Sequence, residues 1–327
     1  MRISRRLCML AAISVGIAVA APATVRADDW PSRPITMIVP FPAGGSADAV
    51  ARLVAIEMSE KLKQQVVVEN RAGAGGNIGG AAVARAKPDG YTLLFATPGP
   101  GANNKLLYAN MTYDPEKDFT PIVEVADSPL IIAASLKTPV KSIADLIAYA
   151  KEHPGKLNVG VPGNGTLGHF AVALLERQAG IKVTTIPYKG STPVITDLLG
   201  NQINIASDFI TAYVPHVKAG TMTPLAVLAD ERSPLLPDVP TAREAGFTNF
   251  DAVAWFAVLG PAGMPEPVVA KINGIVNAYL KTDAVKEKFV PLGLRPVGGT
   301  PEHMGKVIRD EIAKWKPIVE EAKIKLN

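Results

Sequence analysis

Two glycine-rich segments with the same local context are the strongest chemical signal in this sequence. Residues 163–168 read Gly-Asn-Gly-Thr-Leu-Gly, and residues 40–46 read Pro-Phe-Pro-Ala-Gly-Gly-Ser. Each follows a predicted buried strand and opens a predicted helix, so each offers unpaired backbone N–H groups at the positive end of a helix dipole. Such ends bind anions, and neither segment contains a lysine or an arginine. Facing each other across a cleft, the two loops would hold a carboxylate through backbone amides, hydroxyl groups and bound water.

The segment 163–168 also matches the GxGxxG pattern of dinucleotide-binding loops. A dinucleotide site needs an acidic residue about twenty positions later to hold the ribose. The chain reads Ile-Pro-Tyr-Lys at 186–189, without a carboxylate. A tight turn without a ligand and an anion-binding loop both remain open, and the second loop of the same kind favours anion binding. We expect no nucleotide cofactor.

Side chains used in catalysis are present, but they do not form catalytic patterns. Ser46 lacks the second glycine of a nucleophile elbow, and His153, His169, His216 and His303 do not have the spacing of a zinc site. We therefore expect a protein that is not an enzyme and binds no metal. His169 lies in the first turn after the 163–168 loop, where it either packs and bonds water or contacts a ligand.

Two further features near the loops have structural interpretations. Asp48, in the first turn of the helix after residue 45, suits a helix-dipole or capping role, and otherwise a pocket wall. The glycines of residues 74–80 miss the dinucleotide spacing, and we expect them to pack a helix closely on the sheet.

The elements that position these loops alternate between short apolar runs and amphipathic runs. Strands are predicted at 35–39, 65–69, 92–96, 130–135, 158–161, 183–186 and 203–207, with apolar crossovers near 122–125 and 253–258. Helices are predicted at 50–62, before 87, at 142–151, 167–178, 193–199, 265–281 and 301–322, and a proline-rich loop at 232–240. This α/β pattern predicts two lobes, with parallel or mixed sheets flanked by helices and joined by two hinge strands. Lobe 1 would contain residues 28–125 and 253–327, lobe 2 residues 126–252, and the ligand cleft would lie between them.

Residues 1–27 have the composition of a secretory signal peptide. Three arginines precede an apolar run at 7–21 that is too short to span a bilayer comfortably, and a small-residue cleavage site precedes Asp28. Cleavage leaves 300 of the 327 residues and removes Cys8, the one cysteine. The leader also carries the whole net charge of +4, so the balanced remainder gives no support for binding nucleic acid or an acidic membrane. An uncleaved membrane anchor is the alternative to an exported, soluble protein.

Several motifs together resemble a known family. In chain order they are residues 35–45, 70–79, 88–94, 187–190, 197–200 and 232–241. They resemble the tripartite tricarboxylate transporter receptors, which are Bug- or TctC-type periplasmic solute-binding proteins, over essentially the whole mature chain. The resemblance implies a type II periplasmic-binding-protein fold. It also implies a receptor that captures a small organic acid and hands it to a two-component integral-membrane permease.

The resemblance places the ligand between the loops matching 41–45 and 163–169, with contributions from 97–104 and Asp208. With Asp48 and Tyr188 added, the candidate ligand-binding residues are Phe41, Ala43, Gly44, Gly45, Asp48, Thr97, Gly99, Asn103, Gly163, Gly165, Thr166, His169, Tyr188 and Asp208. The proline-rich turn at 98–101 and the Phe-Ile-Thr at 209–211 depart from the usual family residues. The identity of the ligand therefore does not transfer.

Asp208 has two interpretations of equal weight. In the cleft it would favour a ligand that carries an amine, amide or hydroxyl donor away from its carboxylate, and otherwise it would cap a helix starting near Thr211. An aromatic lid formed by Phe41, Tyr188 or Trp255 could admit a ring. A ligand-presenting sensor module has the same fold and pocket, and a secreted hydrolase would need a triad that the sequence lacks. We expect a periplasmic monomer without a nucleic-acid partner.

Overall fold

The structure, a computed structural model, describes residues 30–248, 250 and 252–321. The predicted signal peptide and Ala322, the end of the last predicted helix, lie outside the described residues. The chain divides into two units, Met1–Trp30 and Pro31–Asn327, and every described helix and strand belongs to the second.

The strands are β1 (Ile35–Val39), β2 (Val66–Asn70), β3 (Thr92–Ala96), β4 (Phe119–Ala134), β5 (Asn158–Val161), β6 (Thr184–Pro187), β7 (Ile205–Phe209), β8 (Thr223–Leu228), β9 (Val253–Pro261) and β10 (Arg295–Pro296). The α-helices are α1 (Ser46–Leu62), α2 (Asn77–Ala84), α3 (Pro98–Gly101), α4 (Ile143–Glu152), α5 (Leu167–Ala179), α6 (Ser191–Leu199), α7 (Ile210–Lys218), α8 (Glu266–Leu280), α9 (Asp283–Phe289) and α10 (Pro301–Glu321). Short 3₁₀ turns occupy Ala74–Gly76, Asn103–Leu106 and Val290–Leu292.

The strands form one mixed sheet in the order β2-β1-β3-β9-β4-β7-β5-β6, and β8 and β10 also pair with β4. β1 runs parallel to β2 and β3, and β5 runs parallel to β6 and β7. We call the part around β1, β2, β3 and β9 the first lobe, and the part around β5, β6, β7 and β8 the second lobe. The predicted α/β fold with two lobes is confirmed.

The strand β4 belongs to both lobes. Its residues 119–129 pair with β9, and its residues 130–134 pair with β7 and β8. β9 begins at Val253, opposite Pro129, so these two strands meet at the junction between the lobes. The sequence predicts an apolar crossover near 122–125 and a separate strand at 130–135, whereas the structure has one continuous strand. The structure tolerates Pro121 in a continuous strand because the register shifts there, where one ladder hydrogen bond is dispensable.

Each lobe has its own apolar cluster beneath the sheet. In the first lobe Ile38, Leu94 and Trp255 are among its members, and in the second lobe Ile131 and Tyr213. Four of the strands and α-helices were not predicted: the four-residue helix α3, β8, which lies between a helix and the proline-rich loop, the two-residue β10 and the short helix α9. Within the described residues, no helix combines the length and apolar character needed to cross a bilayer.

Candidate functional site

The two glycine loops lie where the sequence predicts them, each between a parallel strand and a helix. The first loop, residues 40–45, connects β1 to α1, and the second loop, residues 162–166, connects β5 to α5. The first loop reaches the second lobe at the start of α6. A methyl group on Gly190 would lie 2.8 Å from Pro42 Cδ, and one on Gly45 would lie 3.8 Å from Ser191 Cβ. The carboxyl edges of the two lobes therefore face each other.

The first loop is held in shape by Asp48. One carboxylate oxygen, Oδ2, accepts the N–H of Gly44 at 2.9 Å and the Nε–H of Arg52 at 2.9 Å, and Oδ1 accepts from Asn70 at 2.9 Å. Asn70 also donates to the carbonyl oxygen of Phe41. Burial would raise the pKa of Asp48, but the hydrogen bonds from Arg52, Gly44 and Asn70 outweigh it and hold that pKa below its usual value.

The second loop is organised by Thr166 and His169. Thr166 is the N-cap of α5: its hydroxyl donates to the carbonyl of Gly163 at 2.8 Å and accepts the N–H of His169. The Nδ1 atom of His169 accepts the N–H of Gly165 at 3.2 Å, which leaves the proton of the neutral ring on Nε2. Burial lowers the pKa of His169 and so favours this neutral form.

The turn after β3 brings the first lobe against the second loop. Thr97 is the buried N-cap of α3, and Gly99 and Asn103 are buried after it. Asn103 donates to Glu311 Oε1 at 2.8 Å, which fastens the turn to α10. A methyl group on Gly165 would lie 2.2 Å from Asn104 Oδ1, so the two lobes are in close contact at this point.

Asp208 lies at the end of β7, 1% exposed, with its carboxyl facing other buried groups. It accepts the N–H of Phe209 at 2.7 Å and the hydroxyl of Tyr213 at 3.4 Å, and it also hydrogen-bonds to Ser191. Burial raises the pKa of Asp208 to about 7. The alternative that Asp208 caps α7 is wrong, since this helix starts at Ile210 with Phe209 as its N-cap.

The aromatic residues considered for a lid lie in different surroundings. Phe41 and Trp255 are buried, and a methyl group on Gly101 would lie 2.6 Å from the Trp255 ring. The Tyr188 hydroxyl donates to Asp197 at 2.6 Å. Burial and this carboxylate raise the pKa of Tyr188 to about 12. A lid remains a prediction.

The structure thus brings most candidate residues to the edge where the lobes meet. Gly45, Gly99, Gly163 and Gly165 are buried there, whereas Ala43 and Gly44 are exposed. A groove of about 450 Å³ borders the first loop and is lined by Gly44, Gly45, Ser46, Ala49, Thr192, Ile195, Thr196, Leu199, Thr211, Ala212, Pro215, His216 and Leu292. Ligand contact by each candidate residue remains a prediction.

Several polar groups are buried near this edge, and of these the sequence predicted only Asn103 as a ligand-binding residue. In the described part of the chain, Ser46 Oγ, Asn103 Oδ1, Asn104 Oδ1, Ser207 Oγ and Trp255 Nε1 are buried without a hydrogen-bond partner. Buried polar atoms need partners, which water or a ligand supplies when the protein does not. The sequence position of two of these residues could have indicated them. Ser46 begins α1 directly after Gly45, and Ser207 precedes Asp208 near the end of β7. Among described residues there is no group of three metal-ligating side chains.

Comparison with known proteins shows similar sequences and similar folds. BugT from Bordetella pertussis is 39% identical over 321 residues, with 98% of each chain covered. The solved structure of R. palustris Rpa4515 with adipate matches at a TM-score of 0.88 and 39% identity, covering 91% of this chain and 99% of that one. The solved structure of MatC from Rhodopseudomonas palustris with bound malate matches at a TM-score of 0.85 and 35% identity, covering 89% of this chain and 100% of that one.

The family model described as the tripartite tricarboxylate transporter family receptor, TctC, matches residues 50–324. This family consists of substrate-binding receptors of a transporter, not of enzymes. The chain therefore belongs to the TctC family of tripartite tricarboxylate transporter receptors, of the Bug type.

Proposed function

We propose that this protein is a periplasmic receptor that binds a small organic acid between its lobes and delivers it to a two-component membrane permease. Family membership supports a solute-binding role. Two similar proteins were solved with adipate and with malate, which are both dicarboxylates. The basic, apolar leader supports export across the inner membrane.

The observation that carries the proposal is the opposition of two helix-start loops that lack basic residues. In each loop a glycine N–H donates a hydrogen bond to the side chain four residues later. Gly44 donates to Asp48, and Gly165 donates to His169. These bonds fix the shape of the loops, and the remaining amides and both helix ends attract an anion. A carboxylate bound in this way needs no salt bridge.

Asp208 supports a finer proposal about the ligand. A buried carboxyl with a raised pKa gains most from a ligand that brings a hydrogen-bond donor or a positive charge. We expect Asp208→Ala to weaken binding of amino or hydroxy acids more than binding of simple diacids such as adipate. Equal losses for malate and adipate, measured by calorimetry, would reject this role.

We further propose the lobe boundaries predicted from the sequence, residues 28–125 with 253–327 against 126–252. The change of partner along β4 near Pro129 supports a hinge in this region. A monomer suffices for this mechanism, because both halves of the clamp come from one chain.

A thermal-shift screen of the mature protein tests the proposal. The protein is unfolded and refolded to remove carried-over ligand, and is then mixed with adipate, malate, succinate, citrate or aspartate. A ligand at a hundredfold its Kd adds about 2.7 kcal/mol, which raises the Tm by several degrees. Adipamide, which matches adipate in length without its charges, is the control. A Tm that responds to no acid, or equally to adipamide, would contradict the proposal.

A further inference from the structure

The glycine-rich turn before α2, residues 73–76, takes no part in the binding proposed above. The sequence predicts close packing of a helix on the sheet for residues 74–80. Gly79 and Gly80 fit this expectation, since methyl groups there would lie 2.8 Å from Pro40 Cβ and 2.3 Å from the Tyr113 hydroxyl, both in the first lobe. Gly75 is different, because a methyl group there would lie 2.1 Å from the carbonyl oxygen of Asn164. Asn164 belongs to the second lobe.

Hydrogen bonds from side chains of the first lobe hold both partners of the contact between Gly75 and Asn164. The Tyr108 hydroxyl, also in the first lobe, donates to the Asn164 carbonyl at 3.3 Å. Asn104 donates to the Gly75 carbonyl at 3.1 Å and so fixes the turn that carries it. A methyl group on Gly99 would lie 3.3 Å from the Gly165 carbonyl. Backbone of the first lobe thus fits directly against backbone of the second loop.

We propose that Gly75 and Tyr108 form a closure latch between the lobes. Gly75 leaves room for the Asn164 carbonyl and Tyr108 donates a hydrogen bond to it, so that the lobes can close over the bound acid. This inference rests on the proposed function, because the latch acts on the same loop that would hold the carboxylate. A side chain at position 75 would meet the carbonyl before the cleft closes, since a backbone oxygen in a tight loop cannot move aside. The amides of the second loop would then stop short of the ligand.

Backbone strain alone would not produce this effect, and the chain contains a matched control for it. Gly75 has φ +63° and ψ 20°, and Gly180, the C-cap of α5, has φ +61° and ψ 39°. A methyl group on Gly180 would meet nothing within 4 Å. Gly75→Ala and Gly180→Ala therefore share the cost of a left-handed alanine. They differ in what the new methyl group meets, which at position 75 is the Asn164 carbonyl across the cleft and, at 2.9 Å, the Tyr108 hydroxyl at the end of a side chain.

The experiment measures lobe distance and affinity in the mature protein. Spin labels are placed by Lys61→Cys in the last turn of α1 and by Lys182→Cys just after the end of α5. The two loops precede the opposite ends of these helices. The sequence has one cysteine, Cys8, which lies in the predicted leader and does not interfere. Electron–electron double resonance gives the distance between the labels without ligand and with adipate or malate, and calorimetry on unlabelled protein gives the Kd.

We expect Gly75→Ala to lose the population with a short distance between the two labels, both with and without ligand. Its Kd should rise at least about tenfold, whereas the Kd of Gly180→Ala should stay within about twofold of wild type. Tyr108→Phe keeps the ring and removes one hydrogen bond, so it should raise the Kd about two- to tenfold. Wild-type distances in Gly75→Ala, or equal effects of the two glycine substitutions, would overturn the latch. If wild type binds none of the acids, the proposed function fails, while the distances without ligand still decide the latch.

Discussion

Each lobe contains a buried aspartate, and the surroundings of the two carboxylates are opposite. Asp48 in the first lobe is 4% exposed and accepts from Gly44, Arg52 and Asn70. Asp208 in the second lobe is 1% exposed, and among the described residues no salt bridge joins it to a cation. The pKa of Asp48 is lowered, and burial raises that of Asp208 to about 7.

This difference in surroundings suggests different roles for the two carboxylates. Asp48 is structural, whereas Asp208 can still bind a hydrogen-bond donor of a ligand. The bonds to Asp48 use its oxygens to shape the first loop, and its charge is balanced inside the protein by Arg52. Asp208 accepts a backbone N–H and hydroxyl groups, which stabilise a carboxylate less than a cation does. A ligand donor near Asp208 would therefore gain more than one near Asp48.

The largest expected effect tests the buried charge of Asp208 through the pH dependence of stability. Because its folded pKa is raised from 3.8 to about 7, the stability it contributes is full below pH 3.8 and is lost as the pH rises through 7. Asp208→Asn removes this loss. Relative to wild type, the variant should gain about 1.4 kcal/mol per pH unit between roughly pH 4 and 7, a few kcal/mol in total. Urea denaturation at pH 4.5, 5.5, 6.5 and 7.5 measures the difference.

Asp238→Asn at an exposed site is the control for this measurement. The two substitutions remove the same carboxyl group, one at a buried and the other at an exposed site. A profile for Asp208→Asn that runs parallel to that of wild type would mean that Asp208 is solvated in the folded protein, and the contrast with Asp48 would disappear.

The second effect concerns the first lobe. Asp48→Ala removes the acceptor of three donors, and hydrogen bonds to a charged group contribute about 1.5–3 kcal/mol, so we expect a loss of about 2–3 kcal/mol. The lowered pKa keeps Asp48 ionised at neutral pH, so the loss should not change between pH 6 and 8, and it should shrink only as wild type is protonated in strong acid. Urea denaturation of both proteins at these pH values gives the loss.

The helix α1 contains its own control for Asp48. Glu57 and Lys61 form an ion pair of the same i,i+4 spacing at 3.6 Å near the other end of the helix. Glu57→Ala should cost no more than about 0.5 kcal/mol, the upper end for helix ion pairs of this spacing. Similar losses for the two substitutions would show that Asp48 acts as an ordinary surface pair.

Local sequence signals predict much of the fold and the position of both loops. The strands β1, β3 and β5 have the predicted bounds, because each is a short, largely buried run that is followed within two residues by a proline. The continuity of β4 was not predictable in this way, because its partners come from four other strands on both sides of the lobe junction. The i,i+4 spacing of Asp48 and Arg52 is a local signal that indicates their pairing.

Contacts between the lobes could not be predicted from local patterns. Gly75 and Asn164 are far apart in the sequence, as are Asn104 and Gly165, and each pair meets only when two separately folded parts close together. The glycines of residues 74–80 look alike in the sequence. Only their neighbours in space distinguish Gly75, against the second lobe, from Gly79 and Gly80, against the first.

The smallest expected effect compares the anchors of the two loops, a carboxylate in the first and an imidazole in the second. Burial lowers the pKa of His169, so the stability that it contributes is present above its unfolded pKa of about 6.5 and is lost as the pH falls through its folded pKa. His169→Asn retains an acceptor for the Gly165 N–H but cannot titrate. Between pH 7.5 and 5.5, wild type should therefore lose stability relative to the variant, with a slope of at most about 1.4 kcal/mol per pH unit. Urea denaturation measures both slopes, with His153→Asn at an exposed site as the control. Equal slopes for His169→Asn and wild type would mean that the imidazole is solvated and that both loops have anchors insensitive to pH in this range.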